Sequence, residues 1–315
     1  MPDRYPPCPE FRVFELPPKG FKPLEASNEE LARYGFPHPK DERQRAFVER
    51  HLNRLGGKLK VIQPEIRYNP GKVHGPRLRV VDEAPTTSHN WSGAVVYNEY
   101  GTGATAYTFA YVVGEWVLPS VYPPSNEDSS LGCWVGIDGD GISTDVCQAG
   151  VELALSGSKL TVTPWIEWYP AHEMAIANCP VRPGDDVLVE IQTLTPVGAG
   201  GAGSTEACVI FCNMSTGVTT GLRLSAPGNT SLVGNCAEWI VEAPQVNGQI
   251  QPLCQYGGVI FTEATASTVN GTAGDSGDPN LSNTINLIPQ TGGGTSVGEV
   301  LGETIVGATP AVTVG

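Results

Sequence analysis

Lysine and arginine are scarce over most of this 315-residue chain. Of its 19 Lys and Arg residues, 16 lie in residues 1–80 and three in residues 81–315. Asp and Glu are distributed the other way, with 10 of 33 in the first segment and 23 in the second. The acidic part therefore has little with which to neutralise phosphate groups, and we expect no nucleic-acid partner.

Long apolar runs are also missing. No stretch of about 20 apolar residues occurs, so we expect no membrane-spanning helix and no membrane partner. The N-terminus, MPDRYPPCPEFRVFELPP, lacks the apolar core of a secretory signal. If the protein is exported, its signal has been removed or it uses another route.

Cysteine pairs with the spacing of a metal site are absent. The eight cysteines include no C-x-x-C pair and the chain has only five histidines, so we expect no metal or other cofactor. The cysteines instead favour disulfides formed in an oxidising compartment, and we expect a secreted protein. Residues 81–315 hold seven of them, so one is free or pairs outside that segment.

Histidine is too rare for most nucleophilic triads. Residues 81–315 contain only His89 and His172, and a Ser–His–Asp or Cys–His site would need one of them. No G-x-S-x-G motif occurs. The stretch AHEMAIAN starts like H-E-x-x-H, but Ile176 takes the place of the second histidine, and His172 is interpreted as a loop residue.

The N-terminal segment has the patterns of two helices and a connector. SNEELARYGF has capping-box spacing from Ser27 to Glu30. DERQRAFVERHLNRL, residues 41–55, places apolar residues along one stripe of a charged helix. VIQPEIRYNPGKVHGPRLRVV, residues 61–81, is interrupted by proline and glycine and predicts an extended connector.

From about residue 88 the sequence is typical of an all-β domain. Short segments such as NWSGAVVYN, AYTFAYVVGEWVLP and DVLVEIQTLTP are rich in β-branched and aromatic residues, and most are bounded by Gly, Pro, Asn or Ser. Many such strands without helical segments between them predict a sandwich or a barrel. The loose tail after residue 290 could add final strands at ETIV and AVTV.

Two of these strands combine carboxylates with aromatic residues. In CAEWIVEAP, side-chain alternation places Glu238, Ile240 and Glu242 on one face. In PWIEWYP, Trp165 and Glu167 share a face in the same way. A carboxylate among aromatic rings is partly desolvated, which raises its pKa and suits it to carry a proton.

Six blocks of the sequence resemble those of a known peptidase family. They are, in order, NWSGAVV (90–96), VVGEWVLP (112–119), WVGIDGDG (134–141), CQAG (147–150), WIEWYP (165–170) and AEWIVE (237–242). Their order and spacing are similar to those of the glutamic peptidases, or eqolisins, over residues 88–315. The resemblance implies an acid-acting, pepstatin-insensitive endopeptidase built on a lectin-like, antiparallel double-sheet β-sandwich.

The same resemblance implies which residues act. The catalytic pair corresponds to Gln148 and Glu242, whereas Glu238 has a supporting role. The positions that line or support the family's cleft correspond to Trp134, Asp138, Trp165 and Glu167. In this scheme Glu242 takes a proton from a water molecule that attacks the scissile carbonyl. Gln148 holds that water and donates an N–H to the developing oxyanion, so that no metal or covalent nucleophile is needed.

The uneven charge then indicates a zymogen. We expect residues 1–85 to be a basic, partly helical proregion and residues 86–315 to be the peptidase domain. The proregion would bind the acidic domain at neutral pH and be cleaved off in acid, at a boundary between about 78 and 90, because carboxylates become protonated there. We expect a monomer whose partners are polypeptide substrates and its own proregion.

Other functions remain open from the residues alone. A lectin-like sandwich can bind or cleave glycans, and Glu167 and Glu242 could then form a glycosidase pair. An inactive binding module is a further alternative. The peptidase prediction is favoured because Gln148 has no required role in a glycosidase pair.

Overall fold

Two large sheets form the body of the molecule. The structure is a computed structural model, and it describes residues 5–36, 42–78, 87–97, 109–124, 127–141, 143–194, 203–268, 273–275, 282–287 and 312–314. The described residues form two α-helices, α1 (Asn28–Arg33) and α2 (Glu42–Leu55), which both lie in the N-terminal segment as the sequence predicts.

The strands are numbered in chain order. The N-terminal segment contributes β1 (Phe11–Val13), β2 (Lys60–Val61), β3 (Ile66–Tyr68) and β4 (Lys72–Val73). Next come β5 (Thr87–Ser88), β6 (Trp91–Tyr97), β7 (Phe109–Val117), β8 (Val121–Tyr122), β9 (Ser129–Asp138), β10 (Val146–Ser156), β11 (Lys159–Tyr169), β12 (Met174–Ile176), β13 (Asp186–Thr193), β14 (Glu206–Asn213) and β15 (Val218–Ser225). The last are β16 (Cys236–Glu242), β17 (Gln245–Val246), β18 (Gln249–Ile250), β19 (Gln255–Tyr256), β20 (Val259–Thr268), β21 (Ala273–Asp275), β22 (Ser282–Leu287) and β23 (Val312–Val314).

Eighteen of these strands form two nine-stranded sheets, here called sheets I and II, and the other five form two small sheets, β18-β17-β4 and β19-β8. Sheet I has the order β1-β15-β14-β13-β7-β20-β21, with β2 also beside β15 and β23 also beside β20. Sheet II has the order β3-β12-β11-β10-β9-β16-β6-β22-β5. Their strand pairs are antiparallel except β2–β15 and β5–β22. The predicted all-β, double-sheet architecture is confirmed.

The core lies between the inner faces of the two sheets. Val135 and Trp239 of sheet II are fully buried in one cluster with Val112 and Val189 of sheet I. Trp239 also donates its indole N–H to the carbonyl oxygen of Val113 at 2.8 Å. Burying one large apolar side chain of this kind contributes about 1.5–3 kcal/mol, so the inner faces hold the sheets together.

Strand β16 shows the alternation that the sequence predicts. Trp239 and Val241 face sheet I and belong to the core. Glu238, Ile240 and Glu242 lie on the opposite, outer face of sheet II, because successive side chains of a strand point to opposite sides. This outer face carries the predicted site residues.

The N-terminal segment reaches both sheets. Strands β1 and β2 add to β15 at the edge of sheet I, and β3 adds to β12 in sheet II. Helix α1 begins after Ser27, whose side chain forms the predicted capping box with Glu30. The predicted connector, residues 61–81, therefore does more than link two regions, because it supplies the edge strand β3 to sheet II and part of β2 to sheet I.

Helix α2 covers part of the outer face of sheet I. Its side chains Phe47, Val48 and Leu55 are buried there. Arg54 forms two hydrogen bonds to the carboxylate of Glu115, at 2.7 and 2.6 Å. The predicted apolar stripe of this helix is thus the surface that docks on the β-structure.

The cysteines differ from the prediction. All eight are free thiols, of which Cys8 is exposed and the other seven are buried. Cys133 and Cys147 lie in the core between the sheets, where a thiol packs as a small apolar group. The prediction of disulfides is therefore wrong for this structure.

Two further expectations concern the C-terminal tail and the boundary of the predicted proregion. The AVTV stretch supplies β23, which pairs with β20, whereas ETIV lies outside the described residues. Residues 79–86, in the middle of the predicted proregion boundary, lie outside them as well. No helix in the described part of the chain has the length and apolar character to cross a membrane.

Candidate active site

The predicted site residues come from four neighbouring strands of sheet II. On β10, Gln148 lies opposite Glu167 of β11 on one side and Gly136 of β9 on the other. Glu238 of β16 lies opposite Gly136 in turn. Because residues opposite each other share a face, Glu167, Gln148 and Glu238 form one row, with a gap at Gly136.

Two further rows run beside this one. In the first, Gly150 of β10 lies opposite both Trp134 and Trp165. In the second, Glu242 lies opposite Gly132 of β9. Each row thus sets a glycine beside larger side chains, and neighbouring atoms of Glu238, Trp134 and Cys133 already fill the space that a Cβ on Gly136 or Gly150 would need.

Glu242, the predicted general base, is held by a donor from strand β9 and by a donor from the residue just before strand β6. The indole N–H of Trp134 donates to its Oε2 atom at 2.9 Å, and the amide of Asn90 donates to Oε1 at 3.4 Å. The Glu242 side chain is fully buried. Its carboxylate therefore has a fixed orientation in a dry environment.

His74, a residue of the N-terminal segment, lies between Gln148 and Glu242. Its carbonyl oxygen accepts a hydrogen bond from Nε2 of Gln148. Its ring atom Nδ1 lies 2.9 Å from Oε2 of Glu242. Its backbone N–H donates to both carboxylate oxygens of Glu167, at 3.1 Å each. One residue therefore contacts both members of the predicted catalytic pair.

The imidazole of His74 fits closely into its surroundings. It stacks on the indole of Trp165, with ring centroids 3.6 Å apart and planes at 4°. Its Nε2 atom lies 3.2 Å from Oε2 of Glu173. A Cβ added to Gly132 would lie 3.3 Å from two atoms of the ring. The absence of a side chain at Gly132 therefore leaves room for the imidazole.

His74 is buried as a cation. Burial disfavours the charged imidazolium, but hydrogen bonds to Glu173 and Glu242 and nearby negative charges outweigh it and raise the pKa of His74 to about 10. At neutral pH both ring nitrogens therefore donate, one to each carboxylate. A fully buried charge needs such partners, because it has lost its contact with water.

Basic residues before and after this histidine are paired with acids of the β-structure. The ammonium group of Lys72 contacts Glu152 and lies 3.3 Å from Glu173. The guanidinium of Arg77 lies 2.7 Å from the carboxylate of Asp140. Residues 72–77 therefore cross the outer face of sheet II, and each of their cations, Lys72, His74 and Arg77, is paired with a carboxylate of the β-structure.

The carboxylates of the site respond to burial in two ways. Burial raises the pKa of Glu167 and of Glu242, and the charge of His74 offsets only part of that rise. Burial also acts on Glu173, but its hydrogen bond to His74 and the charge of Lys72 outweigh it and lower its pKa. The site therefore combines two carboxyl groups with raised pKa values, those of Glu167 and Glu242, with one whose pKa is lowered, that of Glu173.

Asp138 lies apart from the other predicted cleft residues. Its carboxylate accepts hydrogen bonds from the backbone N–H groups of residues 233–235, at 2.6, 3.1 and 2.7 Å. These bonds fix the loop that leads into β16. The structure therefore brings Trp134, Trp165 and Glu167 to the predicted catalytic pair and places Asp138 in support of the strand that carries Glu242.

Sequence reasoning did not single out three residues of this site, His74, Glu152 and Glu173. His74 lies in a connector broken by proline, and Glu173 lies in the loop after β11, so neither belongs to an alternating strand. The signal that could have found His74 is its position between Lys72 and Arg77 in a basic segment that faces an acidic domain.

The side chains gathered here are carboxylates, an amide and aromatic rings. In the part of the chain that the structure describes, no three His, Cys, Asp or Glu side chains are grouped so that they could hold a metal ion. The arrangement can accept and return a proton through a carboxyl group, and it can polarise a carbonyl through an amide N–H.

A β-sandwich that carries a glutamate and a glutamine on one face fits the glutamic peptidases, and comparison with known proteins agrees. The model of the Peptidase A4 family matches residues 89–306. Aspergillopepsin-2 of Aspergillus niger is 28% identical over 230 residues, covering 66% of this chain and 76% of the relative. Scytalidopepsin B of Scytalidium lignicola is 27% identical over 173 residues, covering 55% of this chain and 58% of the relative.

The fold has a solved counterpart. The crystal structure of scytalido-glutamic peptidase with a peptide-based transition-state analog has a TM-score of 0.55 and 21% identity, covering 72% of this chain and 97% of that one. The chain belongs to the Peptidase A4 family, the glutamic peptidases, and is therefore a hydrolase that acts on peptide bonds. The predicted peptidase is confirmed at this level over the glycan-active alternative.

Proposed function

We propose that this chain is the inactive precursor of an acid-acting endopeptidase, in which Gln148 and Glu242 cleave peptide bonds with an activated water molecule. The observation that carries the proposal is the position of His74, which bonds to both side chains. A substrate peptide in the same place would bring its own carbonyl to Gln148. Residues 1–85 are then an inhibitory proregion, and residues 86–315 are the peptidase domain.

Glu242 is suited to be the general base. Burial raises its pKa, so that it can take a proton from water and later return it to the leaving amine. The N–H of Trp134 holds the carboxylate in one orientation throughout. The reaction then needs neither a covalent intermediate nor a second titrating group.

Gln148 is suited to stabilise the oxyanion. Its Nε2 atom already donates to a peptide carbonyl, that of His74. The same nitrogen lies 3.2 Å from Oε1 of Glu167, and this contact fixes the orientation of the amide. One such donor lowers the barrier of acyl transfer by about 3–4 kcal/mol.

Charge pairing accounts for inhibition at neutral pH. The cations of the segment are paired with Glu152, Glu173, Glu242 and Asp140, as the opposite charges of the two regions predict. As the pH falls, carboxyl groups in general take up protons and ion pairs that depend on them weaken. We infer that acid releases the proregion and permits its removal.

We also infer the setting in which the enzyme works. It acts outside the cell as a monomer, on polypeptide substrates, and it is not inhibited by pepstatin. The scarcity of Lys and Arg in residues 81–315 suits acid, because few positive charges remain to repel one another once the carboxyl groups are neutral.

Digestion of a denatured protein at pH 2–8, with and without pepstatin, tests the proposal. Gln148→Ala and Glu242→Ala should each lower turnover by about a hundredfold or more. Because such variants cannot process themselves, their proregions are first removed with tagged wild-type enzyme, which is then withdrawn. The matched variants Gln255→Ala and Glu206→Ala, outside the site, should keep wild-type turnover.

Two results would contradict the proposal. Near-wild-type turnover of Gln148→Ala or Glu242→Ala would exclude the catalytic pair. N-terminal sequencing after incubation at pH 3–4 addresses the zymogen, since an active species that still begins at Met1 would exclude an inhibitory proregion.

A further inference from the structure

The segment that crosses the site, residues 72–78, is bound on both sides of one peptide bond. Upstream, strand β4 pairs with strand β17. Downstream, the backbone N–H of Arg77 donates to the carbonyl oxygen of Gly139 at 3.1 Å. A peptide that is to be cut must be held in this way, so that the bond between His74 and Gly75 stays at the catalytic groups.

The contact with Gln148 identifies that bond. In the proposed mechanism Gln148 donates to the carbonyl oxygen whose carbon is attacked, and here it donates to the carbonyl of His74. The N–H of the same residue is held by Glu167. We propose that the His74–Gly75 peptide bond occupies the scissile position and is the bond at which the precursor first cuts itself. This inference rests on the proposed function.

The imidazole of His74 explains why the bond survives in the precursor. Its Nδ1 atom lies 2.9 Å from Glu242, so the ring fills the place in which Glu242 would hold the attacking water. Stacking on Trp165 and the contact with Glu173 keep the ring there. The segment is therefore bound as a substrate through its backbone and acts as an inhibitor through one side chain.

Cleavage requires the ring to leave Glu242 while the carbonyl stays on Gln148. A water molecule then enters, and Glu242 takes one of its protons as the water oxygen bonds to the carbonyl carbon of His74. The C–N bond to Gly75 breaks, and Glu242 gives the proton to the Gly75 nitrogen. The products are a chain that ends in the carboxyl group of His74 and a chain that begins with the amino group of Gly75.

This first cut lies upstream of the boundary expected from the sequence, between about 78 and 90. The residues between Gly75 and that boundary are then removed in a later trimming step. The two steps differ in kinetics, because a first cut inside one molecule has a rate that does not depend on protein concentration.

The variant His74→Ala tests the inference, because it keeps the backbone carbonyl and removes the ring. Variant and wild-type precursors are incubated at pH 3–6, and new termini are identified by mass spectrometry and N-terminal sequencing. Wild type should be cut before Gly75 in acid, and the variant should be cut at the same bond at least about tenfold faster and at higher pH, since its general base is not blocked. The control His89→Ala, which changes an exposed histidine, should match wild type.

The outcomes separate this inference from the proposed function. If the enzyme digests an added denatured protein but no precursor is cut before Gly75, the inference fails and the proposed function stands. If neither the precursor nor the added protein is cut, both fail.

A synthetic peptide keeps the inference testable if His74→Ala does not fold. The peptide PGKVHGPRLRV, residues 70–80, and its analogue with alanine in place of the histidine are offered to acid-activated wild-type enzyme. The parent peptide should inhibit and be cut only slowly, and the analogue should be cut at least about tenfold faster, before the glycine that corresponds to Gly75. An analogue that stays whole, or that is cut elsewhere, would overturn the inference.

Discussion

The Nδ1 atom of His74 lies 2.9 Å from the Oε2 atom of Glu242, and neither side chain is accessible to solvent. The other ring nitrogen, Nε2, lies 3.2 Å from the Oε2 atom of a second carboxylate, that of Glu173. One imidazolium therefore donates a hydrogen bond to each of two buried carboxylates of the site. Because the pKa of His74 is raised from 6.5 to about 10 in the docked segment, its protonation between these two pH values reports on docking.

The first prediction concerns the titration of His74. Its pKa of about 10, raised from 6.5, means that the charge stabilises the docked segment fully below pH 6.5 and that this stabilisation is lost as the pH rises through about 10. In histidine-selective NMR of the intact precursor, one imidazole should stay doubly protonated at pH 8. After cleavage and release it should titrate near 6.5. An intact precursor with every histidine neutral at pH 8 would contradict the prediction.

The second prediction concerns Glu173, whose pKa is lowered by its contact with His74 and by the charge of Lys72. A lowered carboxyl pKa means that its contribution to docking is present above the ordinary value of 4.5 and is lost as the pH falls. Glu173→Gln should therefore weaken inhibition by the peptide of residues 70–80 at least about tenfold at pH 6. The difference from wild type should shrink towards pH 3.

Inhibition constants measured from pH 3 to 6 check this prediction. Glu206→Gln, which changes a carboxylate on sheet I, serves as the matched control and should follow the wild-type curve. A Glu173→Gln curve that runs parallel to wild type at every pH would show that the carboxylate does not act through its charge.

The faces of the strands could be predicted from the sequence, but their register could not. The alternation in CAEWIVEAP gives the outward direction of Glu238 and Glu242, because a period of two is built into the strand backbone. That Glu238 lies opposite Gly136, and Glu242 opposite Gly132, depends on pairing between segments far apart in the chain. Only the resemblance to a family distinguished the two glutamates.

His74 shows where prediction from sequence ends. Opposite net charges predicted that the two regions attract each other, but charge does not specify which residue enters the site. That choice follows from β3 and β4, short strands whose partners β12 and β17 lie far along the chain. The disulfide prediction failed for a related reason, since a buried thiol and a bonded cysteine look alike in a sequence.

The third prediction concerns stability. Trp239→Phe removes the hydrogen bond from the indole to the carbonyl of Val113 and leaves space between the sheets, so it should lower the free energy of unfolding by about 1–3 kcal/mol. Urea unfolding at pH 5, followed by circular dichroism, measures the change. Val117→Ala, at an exposed position of β7, should stay within about 0.5 kcal/mol of wild type. Equal midpoints for wild type and Trp239→Phe would contradict the role given to this side chain.

The fourth prediction concerns Gly136, which separates Gln148 from Glu238 in the row that crosses the site. A Cβ at this position would lie 2.7 Å from Oε1 of Glu238, 2.9 Å from the Trp134 ring and 3.3 Å from Cβ of Gln148. Gly136→Ala should therefore displace the amide that stabilises the oxyanion and lower kcat by up to about a hundredfold. Gly257→Ala, where an added methyl meets nothing within 4 Å, is the matched control. Peptide hydrolysis by the acid-activated variants measures both, and wild-type kcat in Gly136→Ala would mean that the Gln148 amide is not held by this row.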